Sequence, residues 1–153
     1  YHNKHKLYLV DEILSNVDII PNSIALAQAA IESGWGKSRF AKEYNALFGE
    51  YTYDNSKGVI PLERENGDTH LIKAFSSYSN SVESYFDNIN SHNAYEDFRE
   101  IRNIMRERNN FSNVNLLVNK LSTYAEDENY IKTIRQVIKT NNFAIFDQKT
   151  ISY

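Results

Sequence analysis

Apolar residues recur at helical spacing along most of the chain. The spacing predicts helices over residues 4–16, 22–33, 37–44, 94–109, 114–124 and 130–140, with another starting at Asn80. Asn80, followed by Glu83 three residues later, is typical of a capping box. The predominance of this period indicates a mostly helical chain.

Residues 48–75 follow a different pattern. Apolar and polar residues alternate over 48–53, 59–63 and 70–75, and Asn66-Gly67 is typical of a tight hairpin turn. These features predict a small antiparallel sheet of two or three strands, inserted between helices. The expected fold class is therefore α+β, mostly helical, with a small β-lobe over about residues 48–75.

The helix over residues 22–33 carries a carboxylate in an unusual place. Pro21 marks its start and Gly34 is a natural left-handed stop, so Glu32 falls in the last turn beside Trp35. A helix C-terminus disfavours an anion by about 0.3–1 kcal/mol. Burial against Ile31 and Trp35 would raise the pKa of Glu32 further, and a protonated carboxyl near neutral pH can act as a general acid. The alternative is a solvated glutamate on the polar face of the helix.

Composition narrows the function classes. The chain has 153 residues, 41% of them hydrophobic, which fits one domain with a real core. A net charge of −3 does not indicate binding to nucleic acid or to an anionic membrane. The lack of Cys excludes thiolate chemistry. No apolar run is long enough to span a bilayer. His70 and His92 are isolated, so we expect them to be structural and expect neither a metal nor a cofactor.

The sequence around Glu32 resembles a known enzyme family. The run AQAAIESGWGKS over residues 27–38, followed by NALFG over 45–49, is similar to the core signature of glycoside hydrolase family 73, the bacterial peptidoglycan β-N-acetylglucosaminidases. The runs FGEYTY over 48–53 and NSHNAY over 90–95 look most like its Bax-like branch. The resemblance covers about residues 18–138.

The resemblance implies an architecture and a location. It implies a lysozyme-like fold in a single catalytic domain over residues 1–153, with a core at about 18–140 and a groove across Glu32 for a polysaccharide. Because the chain starts at Tyr1 without a signal peptide, we expect a domain excised from a longer exported protein. Its site of action would be the bacterial cell envelope (periplasm, cell surface or secreted).

Glycoside hydrolysis usually needs a second carboxylate, and three are candidates. Glu63 resembles the β-lobe glutamate that acts as base or positions water in the family. Glu65 shares its strand face, because side chains two residues apart point the same way, and Glu50 is the third choice. For each, a solvated hairpin residue is the alternative. A substrate N-acetyl group acting as nucleophile would make the second carboxylate dispensable.

Tyr124 is the third catalytic candidate. The run YAEDENY over residues 124–130 resembles the family segment Y-A-T-D-P-x-Y but departs from it at Glu126 and Glu128. By the resemblance, the Tyr124 phenol stabilises charge at the cleaved bond or binds the 2-acetamido group. The candidates for substrate binding are aromatic: Trp35, Tyr51, Tyr53, Tyr78 and Tyr130. For Trp35 we favour, by analogy, a wedge beside the helix over stacking on a sugar.

The sequence thus predicts a peptidoglycan hydrolase that cleaves the β-1,4 bond after N-acetylglucosamine. Glu32 is the general acid, and we expect a monomer whose partner is the glycan strand. Two alternatives stay open: a lytic transglycosylase or muramidase of the same fold, and a non-catalytic peptidoglycan-binding module. The arginines between Arg99 and Arg108 are interpreted as a solvated helix face.

Overall fold

The computed structural model describes residues 10, 12–61, 69–108 and 113–147. Residues 12–16 are helical, and the α-helices that follow are α1 (Asn22–Glu32), α2 (Arg39–Tyr44), α3 (Tyr78–Ser91), α4 (Glu96–Glu107), α5 (Val114–Val118) and α6 (Tyr130–Thr140). Short 3₁₀ helices cover Asn93–Tyr95, Asn119–Leu121 and Phe143–Phe146. The mostly helical α+β class is confirmed.

The predicted small sheet is present, with shorter strands. β1 (Tyr51–Thr52) and β2 (Gly58–Val59) both pair antiparallel with β3 (Leu71–Lys73), which lies between them. A Cβ at Gly58 would lie 2.6 Å from Leu71 Cβ, so only glycine fits where the strands approach this closely. The predicted hairpin turn at residues 66–67 lies outside the described residues.

The chain forms two compact units. The sheet unit, Leu26–Tyr85, contains the second half of α1, α2, the sheet and the start of α3. The helical unit combines residues 1–25 with Phe86–Tyr153. Among the described residues, the buried apolar core of the sheet unit comprises Ala27, Ala30, Ala41, Ala46, Phe48, Leu71 and Tyr85. That of the helical unit comprises Ile20, Ile24, Ile89, Tyr95, Phe98, Met105, Leu117, Val118, Leu121, Tyr130 and Ile134.

The helical unit corrects the prediction of a solvated arginine face at Arg99 and Arg102, whereas Arg108 is exposed as predicted. Arg99 is 8% exposed and Arg102 is completely buried. Arg99 donates to the carbonyls of Ile89 (3.1 Å) and His92 (2.9 Å), at the end of α3. Helix ends and chain turns leave carbonyls that need donors, and a guanidinium supplies five in a planar fork. Arg99 and Arg102 of α4 therefore lie in the interior of the unit and not on its surface.

Arg102 is the centre of a buried ionic cluster. It donates to the carbonyls of Ser15 (2.7 Å), Asp18 (3.2 Å) and Ile19 (3.0 Å), and its Nε lies 3.3 Å from Asp18 Oδ2. Arg106 forms a second ion pair with the Asp18 carboxylate. Burial lowers the pKa of Arg102 to about 10, against the opposing effect of Asp18. Residues 15–19 are thus fixed to α4 by one carboxylate and two guanidinium groups.

The ends of two helices also differ from expectation. α3 begins at Tyr78, because Ser77 Oγ accepts the N–H of Asn80 (3.2 Å) and so acts as the N-cap in place of Asn80. At the start of α1, Asp147 Oδ1 accepts the N–H of Ser23 (2.8 Å). The helix dipole stabilises a carboxylate at this end, because the N-terminus of a helix carries partial positive charge. The segment that follows Phe143, which the sequence pattern did not place, therefore caps α1.

Candidate active site

Glu32 is the last residue of α1 and is partly buried. The chain leaves the helix through three consecutive left-handed residues, Gly34 (φ 56°), Trp35 (φ 59°) and Gly36 (φ 70°). The prediction of Gly34 as a left-handed stop is confirmed. The N–H of Trp35 donates to the carbonyl of Ala30 at 2.7 Å, as in a helix C-cap. Glu32 is thereby held at the C-terminus of α1.

Ser33 fixes the turn that follows. Its side chain is buried, donates to the carbonyl of Ala29 (2.5 Å) and accepts the N–H of Gly36 (2.7 Å). The N–H of Ser38 donates to the carbonyl of Ser33 (2.9 Å), and the Ser38 side chain caps α2. The ESGWGKS run is therefore one hydrogen-bonded turn that ends α1 and begins α2.

Trp35 occupies a backbone conformation that side chains rarely adopt. A positive φ at a bulky residue is sterically costly and persists where the surrounding structure imposes it. Its surface is 55% exposed. A residue that only wedged the helix would be mostly covered, so this exposure favours the binding role for Trp35 over the wedge.

The NALFG run forms the opposite wall of the site. Asn45 adopts a left-handed conformation, and its Nδ2 donates to the carbonyl of Phe75 (3.0 Å). Phe48 is buried, and its ring stacks on Tyr85 with centroids 4.0 Å apart and an interplanar angle of 11°. Gly49 follows directly, with φ 62°. These contacts fix the loop on the N-terminal side of Gly49.

Gly49 brings the two motifs together. A Cβ built on Gly49 would lie 3.1 Å from Glu32 Oε2 and 3.9 Å from Glu32 Cβ. Any side chain at residue 49 would push on the carboxyl group as well as strain the backbone. The absence of a side chain at Gly49 therefore leaves room for the Glu32 carboxyl beside the loop.

Of the three candidates for the second carboxylate, Glu50 is the one that lies among the described residues. Glu50 follows Gly49, and its Oε2 is buried. Its carbonyl accepts the N–H of Lys73 (2.8 Å), which ties it to β3. Glu63 and Glu65 lie outside the described residues. The ranking of the three candidates stays a prediction.

Three of the predicted binding aromatics are exposed in or near the sheet. Tyr51 is 64% exposed, Tyr53 77% and Tyr78 50%. Aromatic rings and sugar faces pack well together, so this exposure suits the predicted role. The Tyr51 ring lies 4.3 Å from the ring of His70, centroid to centroid. The structural role expected for His70 stays a prediction.

Tyr124 and Tyr130 lie in the helical unit. The Tyr124 ring, partly buried, stacks on Tyr130 (centroids 5.9 Å apart, 3°) and contacts Tyr95 (6.1 Å). Tyr130 is only 3% exposed, so it packs behind Tyr124 and offers no ring face to a ligand. This burial disfavours a contact between the Tyr130 ring and the substrate, and the predicted contact stays a prediction.

The turn before α6 forms despite the two departures from the family segment. Asp127 Oδ1 accepts the N–H of Asn129 (2.8 Å), and its carbonyl accepts the N–H of Tyr130 (2.9 Å). Glu126 and Glu128 are exposed and point no charge into the core. Asp127 is a structural residue that the motif comparison did not single out, although Asp is a preferred turn former.

Two further findings concern metal binding and membrane crossing. Within the described ranges, no group of three His, Asp or Glu side chains is placed to hold a metal ion. None of the helices in the part of the chain that the structure describes has the length and apolar character needed to cross a membrane.

The chain is similar in sequence to several known proteins. Residues 8–143 match the family model described as Glucosaminidase: Mannosyl-glycoprotein endo-beta-N-acetylglucosaminidase. The chain is 35% identical over 113 residues to Protein bax of Escherichia coli (strain K12), covering 74% of this chain and 39% of that protein. It is 37% identical over 92 residues to Peptidoglycan hydrolase FlgJ of the same strain, covering 54% and 29%. The chain therefore spans less than half the length of these relatives.

Solved structures share the fold. The catalytic domain of the autolysin Auto from Listeria monocytogenes superposes with a TM-score of 0.63 at 21% identity, covering 94% of this chain and 84% of that one. An N-acetylmuramoyl-L-alanine amidase from Staphylococcus aureus superposes with a TM-score of 0.64 at 23% identity, covering 97% and 43%. At this identity the two matches establish the fold.

Proposed function

The chain belongs to the glucosaminidase family, and from that premise we propose that it is a peptidoglycan hydrolase. It cleaves the β-1,4 bond after N-acetylglucosamine, with Glu32 as general acid. The relatives named peptidoglycan hydrolases and the autolysin of the same fold support this substrate. Its place of action is the bacterial cell envelope, where the glycan lies, and it acts as a monomer.

The observation that carries the proposal is the carboxyl of Glu32 against Gly49. A general acid must hold its proton within hydrogen-bond reach of the glycosidic oxygen. The turn over residues 33–38 ends α1 at Glu32, and a Cβ at Gly49 would lie 3.1 Å from Glu32 Oε2, so the loop passes close to the carboxyl. A partly exposed carboxyl beside a glycine that leaves room for it supports the proposed role.

The exposed aromatic residues of the same unit suit a polymeric sugar substrate. Trp35, Tyr51, Tyr53 and Tyr78 belong to the same unit as Glu32 and are each at least half exposed. We assign them to stacking on sugar rings. Tyr124 is assigned to the acetamido group or the developing charge on the strength of its sequence context, and Tyr130 supports its ring from behind.

The second carboxylate decides the mechanism. We propose Glu63 as base or water-positioning residue, with Glu65 and Glu50 as alternatives. If a carboxylate is the base, its Gln variant should lose about 100-fold or more in rate, the typical size of general-base catalysis. If the substrate acetamido group is the nucleophile, all three Gln variants should keep rates within a few fold of wild type. Rates on purified sacculi distinguish the two.

Product analysis tests the proposed bond. Purified sacculi are digested with the wild-type chain, and the soluble fragments are reduced and analysed by mass spectrometry. The proposal predicts reducing N-acetylglucosamine ends. Anhydro-muramyl ends would identify a lytic transglycosylase, and reducing N-acetylmuramic acid ends would identify a muramidase. Binding to sacculi with no release of fragments would identify a binding module.

A further inference from the structure

A buried polar pair lies beneath the candidate site. The hydroxyl of Tyr85 donates to Gln28 Oε1 at 2.7 Å, and both side chains are completely buried. Burying a hydroxyl and an amide opposes folding unless they are hydrogen-bonded to each other. The bond satisfies both groups and joins α1 to α3.

One end of this bond lies on the helix that carries Glu32. Gln28 precedes Glu32 by four residues in α1, and residues four apart lie on the same helix face. The bond from Tyr85 therefore fixes the helix one turn before the candidate acid. A shift of Gln28 along or around the helix axis would move the Glu32 carboxyl with it.

The other contact of Tyr85 lies on the loop that ends at Gly49. The Tyr85 ring stacks on Phe48 with centroids 4.0 Å apart, and Phe48 precedes Gly49. One turn earlier on α3, buried Ser81 accepts the N–H of Leu47 at 3.1 Å. α3 thus holds the loop by a hydroxyl and by a ring.

We propose that Tyr85 is a positioning residue for Glu32. Its hydroxyl holds α1 through Gln28, and its ring holds Phe48, so one side chain sets the spacing between the Glu32 carboxyl and Gly49. Catalysis depends on such spacing, because a displacement of about 1 Å can lower a rate about 100-fold. The role rests on the proposed function of Glu32 as acid.

Tyr85→Phe tests the hydroxyl. We expect kcat to fall about 10- to 100-fold while KM stays within about twofold, because the exposed aromatics that contact sugar are unchanged. Tyr44→Phe is the matched control: a partly buried tyrosine of the same unit, whose variant should keep wild-type kcat. A kcat of Tyr85→Phe within twofold of wild type would overturn the proposal.

A double variant separates positioning from stability. Tyr85→Phe removes the hydroxyl that donates to the buried Gln28 Oε1, which lowers stability. Adding Gln28→Met removes that amide, so the melting temperature should recover, because replacing both partners by apolar groups is nearly neutral. Positioning predicts that kcat stays low in the double variant. A kcat that recovers together with the melting temperature would show a merely structural role.

A readout that needs no turnover keeps this test independent of the proposed function. The NMR cross-peak between the Gly49 α-protons and the Glu32 side chain reports their spacing. It should weaken in Tyr85→Phe and stay unchanged in Tyr44→Phe. An unchanged cross-peak in Tyr85→Phe overturns the positioning role whether or not the protein is a hydrolase. A weakened cross-peak with no hydrolysis by the wild type would refute only the proposed function.

Discussion

The two units each contain a carboxylate at a decisive position, and they hold it by different means. In the helical unit, Asp18 is buried with 1% of its side chain exposed and is paired with Arg102 and Arg106. In the sheet unit, Glu32 is partly exposed at a helix end, and a Cβ at Gly49 would lie only 3.1 Å from its Oε2. Asp18 is held by ion pairs, whereas Glu32 lies where the loop at Gly49 leaves room for its carboxyl.

The difference separates a structural carboxylate from a candidate catalytic one. Asp18 is buried between two guanidinium groups, which suits an anchor and keeps a ligand away from its carboxylate. Glu32 is partly exposed at the end of α1, so a ligand can reach its carboxyl. Four variants test this comparison.

The largest expected effect is on stability, from Asp18→Asn. The variant leaves the buried charge of Arg102 uncompensated, so the free energy of unfolding should fall by about 3–5 kcal/mol. Urea denaturation measures it. The control is Asp97→Asn, which breaks the exposed ion pair with Lys120 (2.9 Å) and should cost less than about 1 kcal/mol. Equal losses in the two variants would contradict the view that burial gives Asp18 its role.

The next effect is on catalysis, from Gly49→Ala. The added Cβ lies 3.1 Å from Glu32 Oε2, so we expect kcat to fall about 100-fold. Gly36→Ala is the matched control, because Gly36 has a similar φ of 70° and nothing within 4 Å of the added Cβ. It should cost about 1–2 kcal/mol of stability from backbone strain and lower kcat far less than Gly49→Ala does. Similar kcat values for the two variants would show that strain, and not contact with Glu32, matters at residue 49.

A smaller effect is expected at the other end of α1. Asp147→Asn weakens the cap on Ser23 and removes the charge that favours the helix dipole, at a cost of about 0.5–2 kcal/mol. Thermal unfolding of the variant measures it, while kcat of the folded protein should not change. A drop in kcat larger than tenfold at unchanged stability would mean that Asp147 does more than cap the helix.

The smallest effect concerns a third carboxylate, fully exposed in the turn before β2. Hydrogen bonds from the side chain and backbone of Ser56 lower the pKa of Asp54 below its ordinary value. Ser56→Ala should raise that pKa toward 3.8, as followed by NMR titration of the carboxyl carbon. The stabilisation by this group is present above the unfolded pKa and is lost as pH falls through the folded one. No change in pKa would rule out the Ser56 side chain as the main cause.

Local features of the fold were predictable from the sequence. α6 spans Tyr130–Thr140, as its apolar period predicts, and Gly34 ends α1 where a left-handed stop was expected. Both depend on neighbours in sequence. The strands were predicted too long, because alternation continues after the pairing with β3 has ended.

Long-range contacts were not predictable. Arg102 reads as a polar helix residue, since its carbonyl partners at Ser15 and Ile19 are more than 80 positions away. The cap of α1 by Asp147 crosses 124 positions. At the candidate site, the motifs indicated that Glu32 and Gly49 matter, but the contact between them depends on the fold of the loop. The period of a helix reveals which face is buried only when the buried residues are apolar.

The most direct test of the central claim is the rate of glycan release by Glu32→Gln. Glu83→Gln is the control, since Glu83 is an exposed glutamate on α3. With folding verified by the melting temperature, we predict that Glu32→Gln loses about 100- to 10,000-fold in rate, while Glu83→Gln keeps the wild-type rate. A Glu32→Gln variant that releases glycan as fast as the wild type would contradict the assignment of Glu32 as the acid.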